Sequence, residues 1–260
     1  MDSETVGPLY KFWLTLRSSL FWFVFLPSIL VTATLLSLLF FLPIRFRVSI
    51  VKGWIFINLF WIKITCGLSH QIEGLENIPV DKGFIIMSKH SSTWETISLQ
   101  IFFQPLVWIV KRELLKVPFF GWGLWAMDAI AINRGSGRAA IKQLIKEGRQ
   151  RMDEGRIVMI FPEGTRVMPL QQKPYKLGGA ILAEQTGYPI LPVAHNAGEY
   201  WPRHSWIKWP GTIKVVIGKP IDPAGKKPDQ IINEVQDWIS STGESISDNV
   251  QLKRLGLIQT

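Results

Sequence analysis

Four short stretches of this sequence set charged side chains at the ends of apolar runs. The first is His90 to Glu95, HSSTWE, which follows the run GFIIMSK. An imidazole held by a carboxylate can take a proton from a hydroxyl, as a general base and the group that orients it. Residues five apart stand about 140° from each other on an ideal helix, so His90 and Glu95 meet only if His90 precedes the helix and Glu95 lies in its first turn. A structural role is equally open. Ser92, Thr93, Trp94 and Glu95 have capping-box spacing, with Glu95 reaching back to the Ser92 amide, and a single histidine has many non-catalytic uses. The second stretch is Phe161 to Arg166, FPEGTR. Here Pro162 ends an apolar run, Gly164 permits close backbone approach, and Arg166 offers a planar fork suited to phosphate. The third is Ile130 to Arg134, IAINR, where Arg134 precedes GSG and a helix start, a plausible anion site. The fourth is Lys111, closing the run WIVK. Taken alone, either arginine reads equally well as a surface residue, and Lys111 says nothing.

Bringing these groups together requires strands that end on one side of a sheet. From about Gly67 onward the chain alternates short β-rich runs with helical patterns, which reads as an α/β domain. Strands are predicted over 83–88, 106–111, 129–133, 156–161, 190–195 and 212–218, and helices over 92–103, 136–153, 174–185 and 228–241. Ser136 is the expected cap of the second helix, and Gly187 the stop of the third. The last twenty residues are polar and weakly patterned and read as a tail. The expected division is an anchoring segment 1–66, a catalytic domain 67–242 and a polar tail 243–260, with no internal repeat.

The four stretches stand in an order that resembles a known family. HSSTWE resembles the His-x4-Asp/Glu signature of the glycerolipid acyltransferases, AIAINR their second block, FPEGTR their third, and ILPVAHN at 190–196 their fourth. WIVKRELLKVPFFGWG is similar to the family stretch in which a lysine faces the substrate phosphate. Order and spacing agree from about residue 70 to 220. The resemblance implies an α/β fold with a mixed sheet flanked by helices. It implies transfer of an acyl group from an acyl thioester, acyl-CoA or acyl carrier protein, to the sn-2 hydroxyl of 1-acyl-glycerol-3-phosphate (lysophosphatidate), giving phosphatidate. His90 would be the base and Glu95 its orienter, with direct transfer and no acyl-enzyme. Lys111, Arg134 and Arg166 would hold the phosphate, while Glu163, Gly164 and Thr165 would position the loop. No metal and no cofactor beyond the thioester co-substrate is implied. Two departures stand out: Glu95 is found where Asp is commoner, and Asn133 where the second block often has Asp. They leave another lysophospholipid or a lipid amine as alternative acceptors.

Composition fits a membrane-bound enzyme of this kind. The 260 residues are 47% hydrophobic and only 19% charged, against about 25% charged in soluble proteins. A net charge of +9 suits an anionic partner. The twelve tryptophans suit a lipid–water boundary, and the single cysteine, Cys66, excludes an intramolecular disulfide. No residue from Ser18 to Ile44 is charged, and Phe21 to Leu42 is long enough to cross a bilayer core. A second apolar stretch, Val48 to Leu68, makes a helical hairpin with it. Length favours a span, whereas Pro27 and the second stretch leave a one-leaflet hairpin open. Cleavage as a signal peptide is disfavoured by Asp2, Glu4 and the excessive length of the run. Arg45, Arg47 and Lys52 place the following domain at the cytoplasmic face of the inner membrane. Residues 1–66 are expected to tether a domain that stays soluble without them.

Other chemistries find less support. Gly121-x-Gly123-x-x-Ala126 imitates a dinucleotide fingerprint, but PFF rather than a strand precedes it, and Trp122 and Trp125 would crowd a pyrophosphate. That cluster is expected in the core or along an acyl groove, with Trp201, Trp206 and Trp209 as a second, surface-facing group. There is no G-x-S-x-G, HExxH or P-loop, and His70, His90, His195 and His204 lack metal spacing. Basic residues never run beyond pairs, so nucleic acid is not an expected partner. A non-catalytic protein that binds anionic lipid at a membrane is the reading from a different class.

Overall fold

The computed structural model describes residues 7–80 and 83–259. Its centre is a seven-stranded mixed sheet made of β1 (Leu68–Glu73), β2 (Phe84–Ser88), β3 (Leu106–Lys111), β4 (Ile130–Ile132), β5 (Ile157–Ile160), β6 (Ile190–His195) and β7 (Gly211–Ile217). The spatial order is β1-β7-β6-β2-β5-β3-β4. Strands β2 to β6 are parallel, whereas β7 is antiparallel to β6 and carries β1 alongside it. Helices α1 (Pro8–Leu38), α2 (Ile44–Cys66), α3 (Trp94–Ser98), α4 (Phe120–Ala126), α5 (Arg138–Asp153), α6 (Gly178–Thr186), α7 (Ala197–Tyr200), α8 (Pro228–Ser245) and α9 (Asn249–Arg254) surround it.

The central strands are apolar on both faces because helices cover both. Along β2, Phe84 and Ile86 join a cluster with α1, α2 and α3, while Ile85 and Met87 join one with α5, α6 and α8. That period of two gives a three-layer fold in which the N-terminal hairpin supplies most of one layer. Phe21 and Phe25 of α1 stack at 5.0 Å, and both pack edge-on against Trp201. The Ser18 hydroxyl accepts from the Lys208 amide at 2.8 Å, and Arg17 donates to the Thr65 carbonyl. Arg47 donates to the Ala126 carbonyl and faces Asp128 at 3.6 Å, tying α2 to the loop before β4. The described part of this segment, from residue 7 to 66, packs into the core of the domain that follows it; the first six residues lie outside the described residues.

The hairpin's other face is bare hydrocarbon. Leu9, Phe12, Leu16, Phe23, Leu30, Val31 and Leu38 of α1, and Phe56, Ile57, Phe60 and Ile64 of α2, are exposed. Both helices are long and apolar enough to cross a membrane, with 22% and 28% of their most apolar windows buried. Trp122 and Trp125 of α4 also face outward, while Gly121 and Gly123 turn inward. A Cβ at Gly121 would sit 2.3 Å from the Leu115 carbonyl oxygen, and one at Gly123 would sit 3.1 Å from the Ala33 Cβ. Gly121 thus admits the Leu114–Leu115 backbone, and Gly123 permits close packing against α1.

Several sequence expectations change. Trp201 and Trp209 are buried, with Trp201 packed on α1, whereas Trp206 lies 5.6 Å from Trp22 and stays half-exposed, so only Trp206 of the three keeps a surface face. The stretch 243–260 is not a polar tail. Helix α8 runs to Ser245, and α9 docks through Leu252 and Gln251, both buried. Asp248 caps α9 and accepts the Tyr200 hydroxyl at 2.7 Å; Thr260 lies outside the described residues. Ser136 lies in a 3-10 turn, and Gly137 occupies the N-cap of α5. Strand β1, unforeseen from its polar sequence LSHQIE, pairs with β7 at the sheet edge.

Candidate active site

The register of the parallel strands decides which loops share the sheet's carboxyl edge. Phe84 lies opposite Ile157, Ile157 opposite Leu106, and Lys111 opposite Ile132. Continued past the strand ends, this sets His90 level with Glu163 and Arg134 level with Gly164. Neighbouring strands lie about 4.8 Å apart, so the loops after β2, β5, β3 and β4 form one continuous rim.

His90 precedes α3, and Glu95 is that helix's second residue, which is the arrangement the five-residue spacing demands. The His90 Nδ1 lies 2.8 Å from the Glu95 Oε1. A carboxylate oxygen only accepts, so Nδ1 carries the proton and Nε2 keeps its lone pair. The ring stacks on Phe161 at 4.0 Å and 9° between planes, which fixes its orientation. Its side chain remains 17% exposed while Glu95 is fully buried, so the base is reachable and its partner is not. The same Glu95 oxygen also accepts the Ser91 and Ser92 amides at 3.0 and 2.8 Å. Helix-start capping and ring orientation therefore coexist in one carboxylate. Burial by itself would raise the Glu95 pKa, but the His90 hydrogen bond, the nearby His195 and the amides outweigh it and hold the carboxyl below its ordinary value.

A second carboxylate grips the base from behind. Both Glu163 oxygens lie 3.3 Å from the His90 amide, and the His90 carbonyl accepts the Val167 amide at 2.7 Å. Burial pushes Glu163 up to about 7, against the pull of its amide partners and Lys89. Lys89 is shifted down by burial, with Glu163, Glu199 and Glu244 opposing. His195, unassigned by sequence, sits behind Glu95. Its Nδ1 accepts the Ala197 amide at 3.3 Å, so Nε2 donates to the Lys89 carbonyl at 2.8 Å. Burial lowers its pKa, with Glu95 pulling the other way.

The cations line the rim beside this pair. Gly164 adopts φ +71°, a left-handed conformation that favours glycine. The turn lets its carbonyl accept Arg134 Nη1 at 2.6 Å. Lys111 ends β3 with an exposed side chain. Arg166 is half-buried, and its carbonyl accepts Arg203 Nη1 at 2.8 Å. Among the described residues none of Lys111, Arg134 and Arg166 forms an ion pair. Thr165 is half-buried, and its hydroxyl makes no hydrogen bond among the described residues; Glu163 is what fixes the loop. Lys176 escaped sequence reasoning, yet its amide donates to the Pro162 carbonyl at 3.0 Å and its ammonium lies at Gly164.

A histidine–carboxylate pair thus stands on the carboxyl rim of a mixed sheet beside cations that form no ion pair among the described residues, and residues 69–196 match the family model described as Acyltransferase. The fold agrees. A crystal structure of the 1-acyl-sn-glycerophosphate acyltransferase from Thermotoga maritima superposes with a TM-score of 0.74, covering 89% of this chain and 95% of that one at 23% identity. More specifically, the chain belongs to the 1-acyl-sn-glycerol-3-phosphate acyltransferase family. It is 45% identical over 210 residues to the Pseudomonas aeruginosa enzyme of that name, covering 79% of this chain and 81% of the relative. The Bacillus subtilis enzyme is 32% identical over 59% of this chain and 74% of its own length. The chloroplastic relative from Brassica napus is longer: at 29% identity the match spans 78% of this chain and 58% of that protein.

Proposed function

We propose that this enzyme transfers an acyl group from an acyl thioester, acyl-CoA or acyl carrier protein, to the sn-2 hydroxyl of 1-acyl-glycerol-3-phosphate, forming phosphatidate. The observation that carries this reading is the 2.8 Å contact of His90 Nδ1 with buried Glu95, which leaves Nε2 free at a rim of unpaired cations. Nε2 takes the hydroxyl proton as the acceptor oxygen attacks the thioester carbonyl. The carbon–oxygen bond forms, the carbon–sulfur bond breaks, and the proton passes from the imidazolium to the departing thiolate. Glu95 stabilises the imidazolium, and no acyl-enzyme is needed. Lys111, Arg134 and Arg166 receive the phosphate.

Membrane association follows from the bare outer faces of α1 and α2. We place the enzyme at the cytoplasmic surface of the inner membrane. Length alone would allow α1 to cross, but α1 and the turn after it touch the domain from Leu14 to Phe40, whose ring meets Trp125 at 5.3 Å. That continuous contact supports a hairpin lying in one leaflet, its apolar face among the acyl chains where the acceptor resides.

The test is purified full-length protein in detergent with labelled acyl-CoA or acyl carrier protein and a panel of lyso-lipids, products read by mass. Phosphatidate should be the main product, at a rate unchanged by prior dialysis against a chelator. A product made only from a lysophospholipid of another headgroup, or from a lipid amine, would replace the acceptor assignment. Lipid binding without any transfer would support the non-catalytic reading.

A further inference from the structure

Gly164 is the meeting point of two cations from distant parts of the chain. A Cβ built there would lie 3.1 Å from Arg134 Nη1 and 3.1 Å from Lys176 Nζ. The two nitrogens are consequently within about 6 Å of each other, a range at which like charges disfavour one another unless an anion lies between them. Neither side chain has an acidic partner in an ion pair among the described residues. The acidic group acting on Arg134 is Glu113, and it too forms no ion pair there. The root of Lys176 is fixed: its amide donates to the Pro162 carbonyl at 3.0 Å, and the Tyr175 amide donates to Gln236 Oε1 at 3.1 Å. A lysine pinned to the residue just before Glu163, the carboxylate that holds the His90 amide, is placed by the fold rather than by chance exposure.

We propose that Lys176 is a phosphate-binding and specificity residue, closing with Arg134 on the phosphate over the bare backbone of Gly164. The proposal rests on the acceptor reading above and extends it. In 1-acyl-glycerol-3-phosphate the sn-2 oxygen and the phosphorus are four bonds apart, so a phosphate site must lie close to the base. Glycine at 164 leaves room there for phosphate oxygens. A phosphomonoester carries about −1.5 to −2 charges at neutral pH, whereas a lysophospholipid phosphodiester carries one. A further cation at this spot therefore favours the monoester.

Lys176→Met removes the charge and keeps the apolar stem; Lys176→Arg keeps the charge. Both are measured in the full-length protein in detergent, beside wild type. For Lys176→Met the KM for lysophosphatidate should rise about tenfold, the loss typical of one charge-assisted bond, with kcat at saturation and circular dichroism unchanged. Lys176→Arg should stay near wild type. Transfer to 1-acylglycerol, which has no phosphate, should be equal in all three, and the preference of Lys176→Met for lysophosphatidate over lysophosphatidylglycerol should shrink. Calorimetric binding of lysophosphatidate without donor should weaken by the same factor. Wild-type KM and affinity in Lys176→Met would overturn the assignment while leaving the acyltransferase reading intact. Wild-type protein that binds lysophosphatidate but does not acylate it would defeat that reading, with the binding comparison still deciding Lys176. Absence of binding by wild type would defeat both.

Discussion

Glu163 holds the main chain of the base, not its ring: both carboxylate oxygens lie 3.3 Å from the His90 amide. The ring is left to Glu95, so two carboxylates divide the positioning of one histidine.

Burial raises Glu163 from 4.5 to about 7. The folded protein thus keeps a proton there that the unfolded chain gives up above about 4.5. Its contribution to stability is full below that pH and is lost as the pH rises through about 7. Glu163→Gln should leave the melting temperature unchanged near pH 5 and raise it near pH 8.5, by an amount equivalent to at most about 3 kcal/mol. Parallel melting curves for the two proteins across that range would contradict the assignment.

Glu95→Gln separates orientation from capping. The amide oxygen can still accept the Ser91 and Ser92 hydrogen bonds, so α3 should form, but a neutral group cannot stabilise an imidazolium. Turnover should fall about a hundredfold or more, and Glu95→Asp should recover part of it. Full activity in Glu95→Gln would reduce this residue to a helix cap.

On the phosphate side, Arg166→Ala, Lys111→Ala and Arg134→Ala should each weaken lysophosphatidate binding roughly tenfold, with the KM for the thioester much less affected. Equal losses with 1-acylglycerol as acceptor would mark the residues as structural.

The hairpin should be indispensable to folding. Phe21 is 1% exposed and packs on Phe25 and Trp201. Phe21→Ala should therefore cost about 3 to 5 kcal/mol, read as a lower melting temperature in detergent. Removing residues 1–66 should give aggregated protein. A soluble, monomeric 67–260 fragment with native circular dichroism would show that the hairpin is only an anchor.

The parallel strands were legible in sequence because burial on both faces leaves nearly unbroken apolar runs, such as FIIMS and IVMI. The polar residues His90, Glu95, Glu163 and Arg134 stand just past the ends of such runs, so their gathering on one rim was legible as well. Edge strand β1 was not legible, because LSHQIE alternates like an exposed segment and owes its form to pairing with β7. The inward half of the hairpin was equally hidden: an apolar helix that faces lipid on one side and a sheet on the other has one composition for both. Lys176 carried no local signal, since a lysine in KPYK becomes notable only when Pro162 and Gly164 come beside it. Docking of the C-terminal segment rests on Tyr200, Glu199 and Asn196, some fifty residues away from it in sequence.

The role proposed for His90, general base of direct acyl transfer to lysophosphatidate, can be read from one variant. Phosphatidate formation by full-length His90→Ala, measured beside wild type in the same detergent, tests it most directly. The expected result is a folded protein with normal circular dichroism, unchanged lysophosphatidate binding, and turnover reduced by about 10² to 10⁴. Wild-type turnover in His90→Ala, or an acyl-enzyme trapped from the native protein, would contradict it.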